Sequence, residues 1–205
     1  MAKANGMKRR GHSRGVKSGG QTPRAQRKII VYIATSADGY IARPDGSVDW
    51  LNRPMPKGAY GMTAFARSID TILWGRKTYD FVAKMGGVRA YGKVKHYAFS
   101  RQPPSEPLPG VDFVSESIPE FVGKLQAARG KNIWMMGSAG IIASFLDAGA
   151  IDEFSIHVIP VMIGEGIPLG APRHRNIPLQ LISTRLFPDG VVHLNYSVRR
   201  QRVSI

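Results

Sequence analysis

The chain has 205 residues, 43% of them hydrophobic, with 23 glycines and 14 prolines, which suits one well-buried α/β domain and leaves little room for two. The absence of cysteine excludes disulfides, thiolate metal sites and cysteine nucleophiles, and no apolar run is long enough for a membrane span or a secretory signal, so a cytoplasmic location is expected. The formal net charge of +15 is uneven: Lys3, Lys8, Arg9, Arg10, Arg14, Lys17, Arg24, Arg27 and Lys28 precede the first strand with no acid among them, leaving 20 basic against 14 acidic residues for the body.

Residues 1–28 therefore read as a basic Gly/Ser/Gln-rich tail with too little apolar surface to fold alone. It is either a solvated extension or an arm giving non-specific, salt-sensitive nucleic-acid binding, and it lacks the apolar face of a transit peptide. From Lys28 to Thr35, a β-branched run predicts a central strand buried on both faces. A loop follows from Ser36 to Trp50, with turn signals at Asp38-Gly39 and Pro44-Asp45-Gly46. Tyr60 to Arg67 reads as a short helix, Thr71 to Trp74 as a strand closed by Gly75, and Thr78 to Lys84 as a helix capped by Thr78. His96 to Phe99 and Asp112 to Ser115 are strands on either side of a Pro-rich connection.

Ser117, Pro119 and Glu120 mark the start of a helix that stops at Gly130. A strand over Asn132 to Met136 then runs through Gly137 and Gly140 into an apolar helix ending at Gly149. Phe154 to Pro160 is a further strand, with Ile156 and Val158 set against Ser155 and His157. Leu179 to Leu186 and Val191 to Val198, joined by Pro188-Asp189-Gly190, form an antiparallel hairpin. The expected architecture is a mixed, mostly parallel central sheet with helices on both faces and a closing hairpin.

Three strand ends carry anion-binding chemistry. Gly137, Ser138, Ala139 and Gly140 open a helix, whose free N–H groups and positive end suit a pyrophosphate; tight packing alone explains more such joints than ligands do. Gly75-Arg76-Lys77-Thr78 places two cations beside a helix N-terminus, where a bound anion would suit them. Ser100-Arg101 pairs a hydroxyl with a guanidinium, as a phosphate monoester requires. Ligands of open α/β sheets bind beyond the carboxyl ends of the strands, so the three turns can face one crevice. Two basic clusters besides a pyrophosphate joint point to NADPH rather than NADH.

Ala37-Asp38-Gly39-Tyr40-Ile41-Ala42, Gly75-Arg76-Lys77-Thr78-Tyr79, Phe99-Ser100-Arg101, Met136-Gly137-Ser138-Ala139, Ile151-Asp152-Glu153 through Pro160 and Ile163-Gly164-Glu165-Gly166, in this order, resemble the dihydrofolate-reductase-like superfamily. Within it, the chain is similar to the C-terminal reductase domain of the riboflavin-biosynthesis deaminase–reductase and its stand-alone relatives. The resemblance spans Ile29 to about Arg199, so residues 29–205 are assigned to one reductase domain. It implies a dihydrofolate-reductase fold, NADPH as hydride donor, a small-molecule substrate and a homodimer. Arg76, Lys77, Thr78, Ser100 and Arg101 would hold the adenosine and phosphate part, and Gly137 to Gly140 the pyrophosphate. Ala34 and the Ser36–Tyr40 loop, with Asp38, would flank the nicotinamide.

Two departures bear on the substrate. Folate reductases carry an acid on the helix after the loop tryptophan, whereas Leu51 to Ile69 contains neither Asp nor Glu. The riboflavin-pathway pattern has a serine two residues before that tryptophan and an Asp-x-Pro segment after the Gly-x-x-Thr turn; here Val48 and Phe81-Val82 stand there. Asp49 and Trp50 are the candidate catalytic pair, Asp49 to orient a polar substrate and Trp50 to wall its pocket; a turn cap and a core plug are the alternatives. Glu165 is either a substrate contact or, preferably, a bulge residue, and His157 reads as structural. His96 and His174 have no ligand-like partners, and no metal site is expected. A nucleotide-binding relative without chemistry and a nucleic-acid-binding protein are the competing functions.

Overall fold

The computed structural model describes residues 26–173 and 176–199. Strand β1 (Ile29–Ser36) is followed by a short β2 (Tyr40–Ala42). Helix α1 (Met62–Ser68) leads into β3 (Ile69–Gly75), and α2 (Arg76–Lys84) into β4 (Lys95–Phe99). Next come β5 (Val111–Val114), α3 (Ile118–Ala127), β6 (Asn132–Met136) and α4 (Ala139–Asp147). Strands β7 (Glu153–Ile159), β8 (Ile167–Pro168), β9 (Leu179–Leu186) and β10 (Val192–Val198) complete the order.

Eight strands form one sheet in the order β5-β4-β3-β6-β1-β7-β10-β9. Pairing is parallel from β5 to β7 and antiparallel for the closing hairpin. The β-branched β1 lies between two parallel neighbours, where both faces must be covered. One face, carrying Ile29, Val31, Ile133, Met135, Leu73 and Phe154, packs on Phe121, Val122 and Leu125 of α3 and on Ile142 and Phe145 of α4. The opposite face, carrying Ile72, Trp74, Ala98 and Trp134, is covered by Met62 and Phe65 of α1 and by Tyr79 and Val82 of α2. The mixed sheet, flanking helices and closing hairpin agree with the sequence expectation.

Several local expectations need correction. Helix α2 begins at Arg76 behind Gly75, with no side-chain cap bond, so Thr78 lies inside the first turn rather than capping it. The predicted Tyr60 helix begins at Met62. Residues Ala59–Gly61 form a 3-10 turn, with Ala59 and Tyr60 at φ of 45° and 57° between two positive-φ glycines. In β7 the alternation resolves with the polar residues inward: Ser155 and His157 are buried while Ile156 and Val158 are half-buried. The polar pair is accommodated because His193 of β10 meets Ser155 Oγ at 2.7 Å and the Tyr60 carbonyl accepts from His157. β2, inside the predicted loop, pairs with β8.

Two cations counted with the tail belong to the folded body. Arg27 is 7% exposed and ion-pairs with Asp70, while donating to Thr71 Oγ1 and to the Leu125 and Lys131 carbonyls at 2.7–3.2 Å. Lys28 pairs with Glu153 at 2.6 Å but is exposed. The basic residues upstream of Gln26 lie outside the described residues. Arg27 is buried but Asp70 is 37% exposed, so the loss on removing Arg27 lies mainly in the carbonyls and the Thr71 hydroxyl left without their donor, whereas exposed pairs contribute little. Arg27→Met is thus expected to lower unfolding free energy in urea by about 1–3 kcal/mol, and Lys28→Met by less than about 1 kcal/mol. Equal, small effects would contradict the buried anchor.

Candidate functional site

Strands β4, β3, β6 and β1 are adjacent and parallel, so their carboxyl ends share one rim of the sheet. Gly75 registers with Phe99, and Trp74 with Met136, which brings the Gly75–Thr78, Ser100–Arg101 and Gly137–Gly140 turns side by side. Arg76 ties two of them together: its Nη1 donates to Ser100 Oγ at 3.4 Å and to the Gln102 carbonyl. Its Nε also pairs with Asp80 at 2.9 Å, so Arg76 is not the uncompensated cation expected from the sequence. Lys77 and Arg101 are exposed.

The glycines of this rim divide into two kinds. A Cβ on Gly75 would sit 2.7 Å from Ile141 Cγ2, and one on Gly137 would collide with the same methyl. Packing alone accounts for both. Gly140 in the first turn of α4 is exposed, with no atom within 4 Å of where its Cβ would lie. Ser138 is the N-cap residue of that helix and makes no side-chain cap bond, and Ala139 is buried beneath it. The N–H groups of Ala139, Gly140 and Ile141 lie in that first turn, the end of a helix at which anions are stabilised.

A cavity of about 240 Å³ opens on the α1 face of the sheet. Ala34 and Tyr32 of β1, Trp134 of β6, and His157 and Ile159 of β7 form its floor; Leu51, Arg53, Met55, Tyr60 and Met62 cover it. Among the described residues no Asp, Glu or Lys lines it, and the one cation in its wall is Arg53. Arg53 is bound to the Asp189 carboxylate at 3.1 Å and to the Asp189 carbonyl at 3.0 Å. Asp189 also accepts from the Tyr60 hydroxyl, tying the covering segment to the β9–β10 turn. The Tyr60 carbonyl accepts from His157 Nε2 at 3.0 Å and from the Tyr32 hydroxyl at 3.3 Å, so Nε2 of the neutral imidazole carries the proton. Tyr32 stacks on Phe65 at 4.3 Å, and His157 stacks on His193 at 4.2 Å.

Burial governs the protonation of this pocket. It pushes the Tyr32 hydroxyl up to about 12. Burial first, and then the adjoining His193, bring His157 down to about 4. The walls are accordingly uncharged at neutral pH, apart from the compensated Arg53–Asp189 pair. Tyr32, Tyr60 and His157 were not singled out as site residues by sequence; the buried polar pair on β7 was the signal that carried His157.

The candidate catalytic pair separates. Asp49 is 60% exposed and forms a two-pronged ion pair with Arg43, which holds its carboxyl below the usual range; it does not line the cavity. Trp50 packs with the Ile159, Phe187 and Val191 cluster, and its buried indole N–H has no partner among the described residues. The Asp38 carboxylate accepts from the Ile163 and Gly164 N–H groups, fixing the loop after β1 against the turn before β8. Glu165 is exposed in that turn rather than in a strand bulge. His96 is buried and faces Trp74 Nε1 at 3.2 Å; His174 lies outside the described residues. Among the described residues there is no cluster of three or more metal-ligating side chains, and no helix is long and apolar enough to cross a membrane.

Comparison with known proteins gives a consistent picture. Residues 111–193 match the RibD C-terminal domain family. The uncharacterized protein YwjB of Bacillus subtilis is 39% identical over 166 residues, 81% of this chain and 95% of its own. A Shewanella sp. PV-4 crystal structure, of a protein named for riboflavin biosynthesis, superposes with a TM-score of 0.76 at 28% identity, covering 84% of this chain and 99% of that one. Dihydrofolate reductase from Enterococcus faecalis, solved with NADP(H), shares the fold with a TM-score of 0.63 at 14% identity, covering 85% and 98%.

The histidine burial has a pH consequence. His157 is neutral in the fold and protonates more readily once unfolded, so its contribution is complete above pH 6.5 and is lost as pH falls toward 4. The depression corresponds to roughly 3 kcal/mol, and burial lowers His96 and His193 in the same direction. Urea unfolding between pH 7 and 4 is expected to lose about that much stability, with a shallower loss in His157→Gln; equal slopes would contradict the assignment.

Proposed function

The chain belongs to the RibD C-terminal domain family within the dihydrofolate-reductase-like superfamily, and from that premise we propose that it is an NADPH-dependent reductase of a small heterocyclic or ribosylamine compound. The observation that carries the reading is the meeting of three anion-suited turns at one rim, with Gly140 open above the first turn of α4. This cradle fits a pyrophosphate: backbone N–H groups face it, and the one glycine that packing does not require leaves room for close approach. Lys77, Ser100 and Arg101, with Arg76 and Thr78 behind them, would hold the additional ribose phosphate. Arg76 braces the Ser100 turn as well as contributing charge. Ala34 and the loop fixed by Asp38 would flank the nicotinamide, since Ala34 lies both on β1 and in the cavity wall.

The bound nicotinamide would supply the hydride, which explains why no catalytic triad is needed. The chain's own task is to orient the acceptor and exclude water, and the apolar cavity beside Ala34 suits it. Trp50 does not line this cavity and packs instead in the Phe187 cluster, so the wall of the acceptor's pocket is made by other residues. Reduction of folate or another pteridine is the weaker reading, because no carboxylate lines the cavity and Asp49 is engaged by Arg43. A nucleic-acid role rests only on the basic leader.

A homodimer is also part of this reading. All eight β9 residues are exposed on an edge strand, with Leu181, Ile182 and Leu186 at 50%, 51% and 72%. Monomers rarely leave such an edge bare, so a second copy is proposed to cover it. Sedimentation should find a dimer in the parent and a monomer in Leu181→Lys combined with Leu186→Lys; a monomeric parent would overturn the dimer.

Titration of NADPH and NADH separates packing from binding at the rim. Lys77→Ala combined with Arg101→Ala is expected to weaken NADPH binding by at least about tenfold, equivalent to about 1.4 kcal/mol, while leaving NADH nearly unchanged. Gly140→Ala is expected to keep or raise thermal stability, because alanine favours a helix by up to about 1 kcal/mol, yet to weaken both cofactors. Unchanged affinity in these variants would remove the cofactor assignment.

A further inference from the structure

The cover of the 240 Å³ cavity is attached to the body of the protein at few points. Residues 52–58 belong to no strand or helix. The backbone bonds of the covering stretch are local, from Asn52 to Asp49, Arg53 to Leu51, Ala59 to Pro56 and Gly61 to Gly58. Among the described residues, its long-range polar bonds come from Arg53 and Tyr60 alone. Arg53 and the Tyr60 hydroxyl both bind Asp189, and the Tyr60 ring meets Phe187 edge-on at 5.1 Å. The Tyr60 carbonyl accepts from Tyr32 and His157. A segment with so little backbone anchoring separates from the fold at lower cost than the sheet beneath it.

The same stretch carries strained backbone. Gly58, Ala59, Tyr60 and Gly61 follow one another with φ of 84°, 45°, 57° and 94°, and Ala59 and Tyr60 are the non-glycine residues with positive φ among those described. L-residues enter the left-handed region at a cost and rarely in succession. No atom lies within 4 Å of where a Cβ would sit on Gly58 or Gly61, so the dihedrals, not packing, require these glycines. Such a conformation persists only where surrounding contacts hold it, and here those contacts are the bonds to Asp189, Tyr32 and His157. We propose that residues 52–61 form a hinged lid over the cavity, latched by Asp189 and biased toward opening by the left-handed turn at 58–61. Released from Asp189, the turn relaxes toward right-handed geometry and carries Arg53, Met55 and Tyr60 off the cavity floor. Access is thus set from the β9–β10 turn, by a residue outside the cavity wall. The lid goes beyond the reductase reading and does not depend on it; within that reading it would gate entry of the acceptor.

The chain has no cysteine, so a single introduced thiol reports opening without interference. Ile159→Cys places one on the cavity floor, where the parent residue is 4% exposed. Ala143→Cys, in a separate full-length chain, places one inside α4 at a fully buried position away from the lid. Each is treated with methyl methanethiosulfonate, a small uncharged thiol reagent, and the labelling rate is followed by mass spectrometry. Adding Asp189→Asn keeps the turn but removes the charge from the latch. It is expected to speed labelling at position 159 by about tenfold and to leave position 143 within about twofold. Adding Ala59→Gly relieves the left-handed cost of the closed lid and is expected to slow labelling at position 159 by about threefold. An unchanged rate at position 159 with Asp189→Asn would overturn the proposal. So would equal acceleration at both positions, the mark of general destabilisation, or faster labelling with Ala59→Gly. No cofactor enters the measurement, so these failures leave the reductase reading standing, and failure of NADPH to bind leaves the lid standing.

Discussion

Ile141 is the residue against which two strand ends are fitted. Its branched side chain occupies the space that Cβ atoms on Gly75 and Gly137 would need, and it comes from the first turn of α4. This contact lets the helix begin almost as soon as β6 ends and keeps its first N–H groups level with the ends of β3 and β4. A side chain at either glycine would lift the helix away from the rim or force Ile141 aside. The proposed pyrophosphate cradle therefore depends on an apolar contact that never touches the ligand. Gly140, one turn position away, is free of that constraint and is left for function to explain.

Around that contact the crevice is divided by charge. Lys77, Arg101 and the helix end make the rim positive, while the cavity reached from the same strands is neutral because burial keeps His157 unprotonated and Tyr32 un-ionised. The division suits a dinucleotide whose phosphates need cations and whose reactive ring needs a dry neighbour. β1 and β6 serve both halves: Ala34 and Trp134 face the cavity, and Gly137 follows Met136 directly into the rim. The cover over the cavity is held by Tyr60, Arg53 and Asp189, so the β9–β10 turn is coupled to the site although it lies at the far end of the sheet order.

Much of this was legible in the sequence for identifiable reasons. β-branched runs gave the central strands, and glycines at strand ends gave the turns, because both effects are local. The order of strands in the sheet was not legible; that the three turns can face one crevice followed from the general rule that ligands of open α/β sheets bind beyond the carboxyl ends of the strands. What escaped was non-local. Which side of β7 is buried could not be read because the partners of Ser155 and His157 come from β10 and from the Tyr60 turn. Arg27 looked like one more tail cation because its partners, Asp70, Thr71 and Lys131, are distant in sequence. Asp49 and Trp50 were adjacent in the chain and so read as a pair, but a 3-10 turn sends one toward Arg43 and the other into the Phe187 cluster.

The most direct measurement is a crystal structure of the full chain soaked with NADPH. The pyrophosphate is expected over Gly140 at the start of α4, the ribose phosphate against Lys77, Ser100 and Arg101, and the nicotinamide beside Ala34. Well-ordered cofactor bound away from the shared strand-end rim, with these three turns bare, would contradict this placement.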